Sequence, residues 1–321
     1  MVPTLSAALQ YGGLVPAQPV APARRKRLLR TAAAFAVLIG LACYLVVQYV
    51  TGGPGAPHCT VRAEGDDKAY ELSPEQAANA ATISAVASSR GLPERAVTIA
   101  LATAMQESGL RNIDFGDRDS VGLFQQRPSQ DWGSVKQIMD PVYAAGEFYH
   151  HLAKVPGYSR LPLTVAAQKV QHSGYPQAYA KHEANAARLT GALTGRDGAA
   201  MTCTESRPVD GRAGGAATVR ERLVREFGPG VLPRADGGAG RGTGGGRQLT
   251  VPVGQGGAAD EASRRGWQLA TWAVAHSAEL RIEQISYAGR MWSADDSGKG
   301  WQHRAESSAA AGRTVRLLTA Q

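Results

Sequence analysis

The segment from Pro93 to Gly109 constrains the fold most, because it reads as a helix with almost no polar face. Proline is favoured in the first turn of a helix, and Glu94 suits the positive end of the helix dipole. Gly109 is a typical residue just past a helix end. A helix that is apolar on nearly all sides must be covered all round, so the sequence predicts a globular core around it.

Glu107 is the acid in the last turn of this predicted helix, near the negative end of the dipole and beside apolar side chains. Both surroundings disfavour the carboxylate, so we expect a raised pKa for Glu107. A carboxyl that stays protonated near neutral pH is the general acid that cleavage of a glycosidic bond requires. The alternative is a solvated glutamate without a chemical role.

Three sequence elements follow one another in a recognisable order. Glu107-Ser108-Gly109 comes first, and Gly122-Leu123-Phe124-Gln125 begins fifteen residues after the glutamate, with Pro128 three residues beyond it. Asp140-Pro141 then opens a further apolar helix. These motifs resemble those of the lysozyme-like lytic transglycosylases, and the resemblance covers about residues 73 to 190.

The resemblance implies a lysozyme-like domain with Glu107 as the one catalytic acid and with no metal, nucleotide or other cofactor. The acid would protonate the β-1,4 glycosidic oxygen between N-acetylmuramic acid and N-acetylglucosamine in peptidoglycan. It would then help the sugar's own 6-hydroxyl close a 1,6-anhydro ring. The expected substrate-binding residues are Ser108, Asp119, Gln125, Gln126, Gln171 and Tyr175. One departure is clear, since Gln171 and His172 stand where the family usually has tyrosine and asparagine.

Two further interpretations stay open. A glycosidase of the hydrolysing type needs a second carboxylate, and Asp114, Asp117 and Asp119 all lie between Glu107 and Gly122. The altered pair at 171 and 172 instead favours a catalytically weak scaffold that holds wall glycan as part of a cell-envelope assembly. We expect the enzyme, because the first two motifs are intact.

Residues 31–50 form a run of twenty residues without a charge, and a cluster of five basic residues lies just before it. At about 1.5 Å per residue such a helix can cross the ~30 Å hydrocarbon core. The positive-inside rule then predicts a single-pass membrane protein with a cytoplasmic N-terminus and extracytoplasmic C-terminal domains. A cleaved signal peptide is the alternative, although its apolar region would be shorter.

The basic balance of the chain comes mostly from that cluster. The formal net charge is +8, and the residues after position 30 carry only +3 of it. No basic patch with interleaved aromatic residues appears, so we expect no nucleic-acid partner. The expected partners are peptidoglycan glycan strands and the membrane.

Cys59 and Cys203 bracket the region of resemblance, while Cys43 lies in the apolar run. In an oxidising compartment such a pair usually forms a disulfide, and two free thiols are the alternative. No cysteine and histidine cluster has the spacing of a zinc site, so we expect no metal.

The fold class expected from the sequence is α+β, mainly α, with one transmembrane helix, a lysozyme-like domain and a small α+β C-terminal domain. Four tryptophans concentrate in that last part and would either stack on sugars or pack a core. The expected divisions are a disordered tail at 1–30, a transmembrane helix at 31–50, a stalk at 51–72, the transglycosylase domain at 73–203, a Gly-rich linker at 204–247 and the C-terminal domain at 248–321.

Overall fold

The structure is a computed structural model, and it describes residues 23–50, 56–63, 65, 68–204, 214–232, 246–254, 258–304 and 312–320. Residues 1–22 of the expected tail and most of the Gly-rich run at 237–246 lie outside the described residues. The chain divides into two units, residues 1–55 and residues 56–321. The first contains the helix α1, Ala23–Val50.

The second unit contains both helices and strands. Its helices are α2 Pro74–Ser89, α3 Glu94–Glu107, α4 Val135–Ile138, α5 Pro141–Ala153, α6 Leu163–Gln171, α7 Glu183–Leu193, α8 Ala216–Phe227, α9 Ala259–Ala275 and α10 Ser277–Leu280. Its strands are β1 His58–Val61, β2 Tyr70–Leu72, β3 Met201–Thr204, β4 Gln248–Pro252, β5 Ile282–Tyr287, β6 Arg290–Ser293, β7 Gln302–His303 and β8 Thr314–Thr319.

The expected fold class, mainly α with a transmembrane helix, is wrong. The structure is mixed α/β with two antiparallel sheets, one in the order β2-β1-β3 and one in the order β4-β8-β5-β6-β7. The first sheet was missed because its strands have three or four residues each, too few for a visible alternation. It also pairs residues about 140 positions apart, for which no local sequence signal exists.

The membrane-spanning part of that expectation also needs correction. Crossing a bilayer takes about 20 consecutive, predominantly apolar residues in one helix. Within the described part of the chain, no helix combines the length and the apolar character that a crossing needs.

The expected disulfide is confirmed. Cys59 in β1 and Cys203 in β3 lie directly opposite each other in the antiparallel ladder, and their sulfur atoms are bonded. Both residues are buried. The disulfide therefore fastens the segment before α2 to the segment after α7.

Capping residues in the sequence mark the starts of two helices, α2 and α5. Ser73 accepts from the N–H of Gln76, whose side chain accepts from the N–H of Ser73 in return, which is a capping box at the start of α2. Asp140 caps α5 in a similar way by accepting from the N–H of Val142, with Pro141 in the first turn. The helix α5 therefore begins at the Asp140-Pro141 pair, as the sequence predicts.

The helix α3 lies at the centre of the N-terminal part and contacts α2, α5, α6 and α7. Ten consecutive residues of α3, from Ala96 to Met105, are buried, as the apolar sequence predicts. Burial of this surface is the main favourable term in folding, at about 25 cal/mol per Å² of apolar area.

The C-terminal helix α9 covers one face of the five-stranded sheet and also contacts α2, α7 and β3. The strand side chains buried toward it are Leu249, Val251, Ile285, Trp292, Val315 and Leu317. The helix α8, inside the expected linker, packs against α2 and the sheet. The N-terminal and C-terminal parts therefore share one compact unit, residues 56–321.

Candidate functional site

Glu107 is the last residue of α3, and the chain turns sharply after it. Gly109 has a φ of +65°, a left-handed conformation that glycine adopts without strain. Two side chains of α2 hold this turn, since the amide of Gln76 donates to the Gly109 carbonyl at 2.7 Å and the amide of Asn79 donates to the Leu110 carbonyl at 2.9 Å. The carboxyl of Glu107 is thereby fixed at a helix end tied to the core.

The motif that begins at Gly122 forms a tight turn. Val121 and Gln126 exchange backbone hydrogen bonds of 3.0 and 3.1 Å and close the turn as an isolated antiparallel bridge. Gly122 has a φ of +79°, and a Cβ there would lie 2.9 Å from the carbonyl oxygen of Ile138. Glycine is therefore required at this position by both conformation and space.

Ser108 and Gln171 attach this turn to the helices around it. The Ser108 hydroxyl donates to the Leu123 carbonyl at 2.8 Å, and the Gln171 amide donates to the Phe124 carbonyl at 2.8 Å. Ser108 is buried, and Gln171 is the last residue of α6. The turn, the end of α3 and the end of α6 therefore meet beside Glu107.

Tyr179 completes the surroundings of Glu107. Its hydroxyl donates to Oε1 of Glu107 at 2.6 Å, from a 3₁₀ helix at Pro176–His182. Burial raises the pKa of Glu107 above its ordinary value, and hydrogen bonds from Tyr179 and Gln171 oppose part of that rise. Burial and the bond to Glu107 raise the pKa of Tyr179, so its hydroxyl stays a donor. The prediction that the pKa of Glu107 is raised is confirmed.

The two glutamine side chains expected to bind sugar take different directions. The Gln125 amide donates to the carbonyls of Gly122 and Phe115, at 3.2 and 3.3 Å, so it is used within its own loop. Gln126 is buried, and its amide donates to the Ala144 carbonyl of α5 at 3.1 Å. In this conformation the two amides support the turn, and their binding of sugar remains a prediction.

Asp119 is held by three hydrogen bonds. Its carboxylate accepts from Arg127 Nε at 2.8 Å, from the Ser129 N–H at 2.8 Å and from the Ser129 hydroxyl at 3.0 Å. The bond from Arg127, followed by those from Ser129, keeps the pKa of Asp119 well below its usual range. The carboxylate is therefore ionised at neutral pH and already occupied.

Two tyrosines four residues apart have opposite surroundings. Tyr175 is 80% exposed on the surface, whereas Tyr179 is fully buried against Glu107. Tyr175 is among the residues predicted to bind substrate, and Tyr179 is not. The sequence shows two tyrosines four residues apart, next to Pro176. This spacing does not indicate which of the two side chains faces the core.

The tryptophans of the C-terminal part pack into the core. Trp272 and Trp292 are fully buried, and their indole N–H groups donate to Glu226 Oε2 at 2.7 Å and to Thr202 Oγ1 at 3.2 Å. Trp267 and Trp301 are partly buried and pack edge to face, with ring centroids 5.2 Å apart. The packing interpretation of these residues is the one that the structure supports.

A family model described as "VldE, C-terminal domain" matches residues 211–313, about a third of the chain. The matched range includes α8 and α9, and Glu107 lies outside it. No curated protein matches the chain. The C-terminal part is therefore similar to that family, and the similarity does not extend to the Glu107 site.

Proposed function

We propose that this protein cleaves the β-1,4 bond between N-acetylmuramic acid and N-acetylglucosamine in peptidoglycan, without water as the nucleophile. The observation that carries this proposal is Glu107, a carboxyl with a raised pKa at the end of a buried helix, beside the turn at 122–125. The motifs that resemble lytic transglycosylases converge on this carboxyl through the contacts of Ser108 and Gln171.

In the proposed reaction the two oxygen atoms of the Glu107 carboxyl group have different roles. Oε1 accepts the hydrogen bond from Tyr179, so Oε2 carries the proton. That proton passes to the glycosidic oxygen as the bond from this oxygen to the sugar C1 breaks. The resulting carboxylate, stabilised by the Tyr179 hydroxyl, takes the proton of the sugar 6-hydroxyl while O6 bonds to C1. The acid is regenerated, and no water or metal takes part.

The state of Asp119 favours this route over hydrolysis. A hydrolysing glycosidase uses a second carboxylate as nucleophile or base. The Asp119 carboxylate is occupied by Arg127 and Ser129, and its low pKa makes it a weak base. Of the three acids between Glu107 and Gly122, Asp119 is therefore poorly suited to be that second carboxylate, which favours a single acid that acts twice.

The disulfide supports a location outside the cytoplasm, where peptidoglycan lies. Stable disulfides are rare in reducing compartments, and the bond between Cys59 and Cys203 joins two strands of the same unit. We therefore place the Glu107 site in an oxidising, extracytoplasmic compartment.

A catalytically weak scaffold for wall glycan is the second candidate. It is favoured by the amides of Gln125 and Gln126, which are committed to backbone carbonyls rather than directed to a ligand. Such a protein would bind glycan strands and release no product.

The test compares the purified wild-type chain with Glu107→Gln on isolated peptidoglycan, with mass spectrometry of the products. The amide cannot donate the proton, so turnover should fall by about 10²–10⁴-fold. Glu261→Gln, at an exposed position in the first turn of α9, is the matched control and should retain full activity.

The products distinguish the candidates. Fragments that end in 1,6-anhydro-N-acetylmuramic acid support the proposal. Reducing ends would make the protein a hydrolase, and a wild-type chain that binds peptidoglycan without releasing fragments would make it a scaffold. Unchanged turnover in Glu107→Gln would remove Glu107 from the mechanism.

A further inference from the structure

Two aromatic side chains of the unit at residues 56–321 are exposed to solvent. Among its described phenylalanine, tyrosine and tryptophan residues these are Phe115, at 70% exposure, and Tyr175, at 80%. Almost all the others belong to the hydrophobic core or pack against it. Single apolar residues are common on protein surfaces, so exposure alone assigns no role to either ring. Their positions do, because both lie in segments that are tied to Glu107.

The loop that carries Phe115 is fixed by the side chain of Gln125. The Gln125 amide donates to the Phe115 carbonyl at 3.3 Å, and its Oε1 accepts from the Ser120 hydroxyl at 3.1 Å. Gly116 packs against the same side chain, since a Cβ at this position would lie 1.9 Å from Gln125 Oε1. The backbone that holds the Phe115 ring is therefore attached to the turn at 122–125.

Tyr175 is connected to Glu107 through a different segment. Its N–H donates to the Ser173 hydroxyl at 3.2 Å. A hydrogen bond between the Ser173 side chain and Tyr179 opposes part of the rise in the pKa of Tyr179. Tyr179 in turn donates to Glu107 Oε1 at 2.6 Å. The exposed ring of Tyr175 is therefore three contacts away from the acid.

Glu107 lies between these two attachments. The Gln171 side chain makes a hydrogen bond with Glu107 and donates to the Phe124 carbonyl of the turn at 2.8 Å. The Glu107 side chain is only half-buried, so a ligand can reach its carboxyl. Each of the two segments around this accessible acid thus presents one exposed aromatic ring.

A glycan strand suits such rings. A β-1,4-linked pyranose has its substituents around the edge of the ring and C–H groups on its two faces. A flat aromatic side chain can cover one of these faces and remove apolar surface of both partners from water. The polar edge of the sugar stays free for hydrogen bonds.

We propose that Phe115 binds a sugar ring of the glycan strand by stacking, that Tyr175 binds a second sugar in the same way, and that Gln125 is the positioning residue of Phe115. This proposal rests on the function proposed above and names residues that hold the strand beside Glu107. It assigns binding to the two rings and no chemical step.

The test measures binding of a synthetic hexasaccharide of alternating N-acetylglucosamine and N-acetylmuramic acid, by calorimetry on the full chain. The parent carries Glu107→Gln, so that cleavage does not accompany binding. Phe115→Ala and Tyr175→Ala should each raise the Kd about tenfold, which corresponds to about 55 Å² of lost apolar contact at about 25 cal/mol per Å². Phe115→Tyr keeps a flat ring and should bind as the parent does.

Two controls separate binding from folding. Tyr44→Ala removes a ring of similar exposure, 60%, from the unit at residues 1–55 and should leave the Kd unchanged. The melting temperature of Phe115→Ala should equal that of the parent, because an exposed side chain contributes little to stability. An unchanged Kd in Phe115→Ala, or a parent chain that does not bind the hexasaccharide, would overturn the proposal.

A double-mutant cycle tests the role of Gln125. Gln125→Ala should weaken binding, because the loop of Phe115 loses its attachment to the turn. If Gln125 acts through Phe115, adding Gln125→Ala to Phe115→Ala should change the Kd little further. Fully additive effects would show that Gln125 contacts the sugar itself, and would remove its positioning role.

Kinetics distinguish the failure of this proposal from the failure of the proposed enzyme. In a chain with an intact Glu107, Phe115→Ala should raise KM and leave kcat unchanged, because stacking holds the substrate and the transition state equally. If the wild-type chain cuts no glycan, the proposed enzyme fails while calorimetry still decides on Phe115. If it cuts glycan and Phe115→Ala has the Kd and KM of its parent, the stacking proposal fails alone.

Discussion

Glu107 and Tyr179 form a pair in which each group sets the proton state of the other. Burial of Glu107 favours its neutral form, and the Tyr179 hydroxyl favours its ionised form. A carboxyl that first gives and then takes a proton needs access to both forms. The hydrogen bond from Tyr179 therefore serves the second half of the proposed reaction, in which the carboxylate must exist.

Removal of the Tyr179 hydroxyl should change both rate and pH profile. Tyr179→Phe keeps the buried ring and removes a bond that lowers the pKa of Glu107, so that pKa should rise. Activity that requires the protonated acid is lost as pH rises through this pKa, so the descending limb of kcat/KM should move to higher pH. Turnover should fall about tenfold, since a hydrogen bond to a charged group contributes about 1.5 kcal/mol.

The measurement is the pH dependence of peptidoglycan cleavage by the wild type, Tyr179→Phe and Tyr158→Phe. Tyr158 is partly buried and lies in a different 3₁₀ helix, so its variant controls for loss of any tyrosine hydroxyl. A descending limb that stays in place in Tyr179→Phe would show that this hydroxyl does not tune the acid.

The directions of individual side chains could not be predicted from the sequence. The spacing of Glu107 and Gly122 predicted that the turn and the helix end belong to one site, and Ser108 links them as that predicts. The same motif did not predict that the side-chain amides of Gln125 and Gln126 donate hydrogen bonds to backbone carbonyls. Gln125 has a φ of +48°, a left-handed conformation that redirects the side chain and has no sequence signature in glutamine.

At the scale of elements, helices with local signals were predicted well and strands without them were not. The capping residues Ser73 and Asp140 mark the starts of α2 and α5 in the sequence itself. In the C-terminal part, β4 and β8 alternate between buried and less buried residues, a pattern that a half-buried strand shows in its own sequence. The strands β1, β2 and β3 are stabilised by partners far along the chain, so their formation depends on tertiary contacts.

The disulfide in that sheet supplies a test of how much the non-local pairing matters. Reduction of Cys59–Cys203 should lower the melting temperature by about 10 °C, because closing a loop of this length contributes about 4–5 kcal/mol in the chain-entropy model. Calorimetry with and without reductant measures the shift. The measurement uses the Cys43→Ser variant, which lacks the free cysteine of the described part of the chain. Free alkylation of both thiols in the native protein would contradict the disulfide.

At the scale of the whole molecule, a buried charge cluster joins the N-terminal helices to the C-terminal ones. Glu226 of α8 is almost fully buried and accepts hydrogen bonds from Thr82 of α2 and from Trp272 of α9, at 3.1 and 2.7 Å. The buried ring of His276 lies 3.5 Å from Glu226 and also 3.5 Å from Glu279. These distances allow charge attraction but are long for strong hydrogen bonds.

The cluster sets opposite pKa shifts in its two main members. Burial alone would lower the pKa of His276, but the neighbouring charges of Glu226 and Glu279 raise it above its ordinary value. Burial alone would raise the pKa of Glu226, but His276, Trp272 and Arg222 together lower it. The folded state therefore favours the doubly charged pair, and its stability depends on pH in both directions.

The protein should be most stable between pH 4.5 and 6.5, the ordinary pKa values of the two groups. The contribution of His276 is complete below its ordinary pKa and is lost as pH rises through its raised folded value. That of Glu226 is complete above its ordinary pKa and is lost as pH falls through its lowered value. Urea denaturation across this range measures both limbs.

Variants assign these limbs to residues. His276→Gln leaves Glu226 buried with one cation fewer, and it should cost about 3–5 kcal/mol near pH 6 and less above the raised pKa of His276. Its alkaline limb should flatten, while His303→Gln, at an exposed position in β7, should keep the wild-type profile. An alkaline limb that persists unchanged in His276→Gln would mean that another group controls it. The contact between α2 and the C-terminal helices α8 and α9 would then be stabilised by packing rather than by the pair of Glu226 and His276.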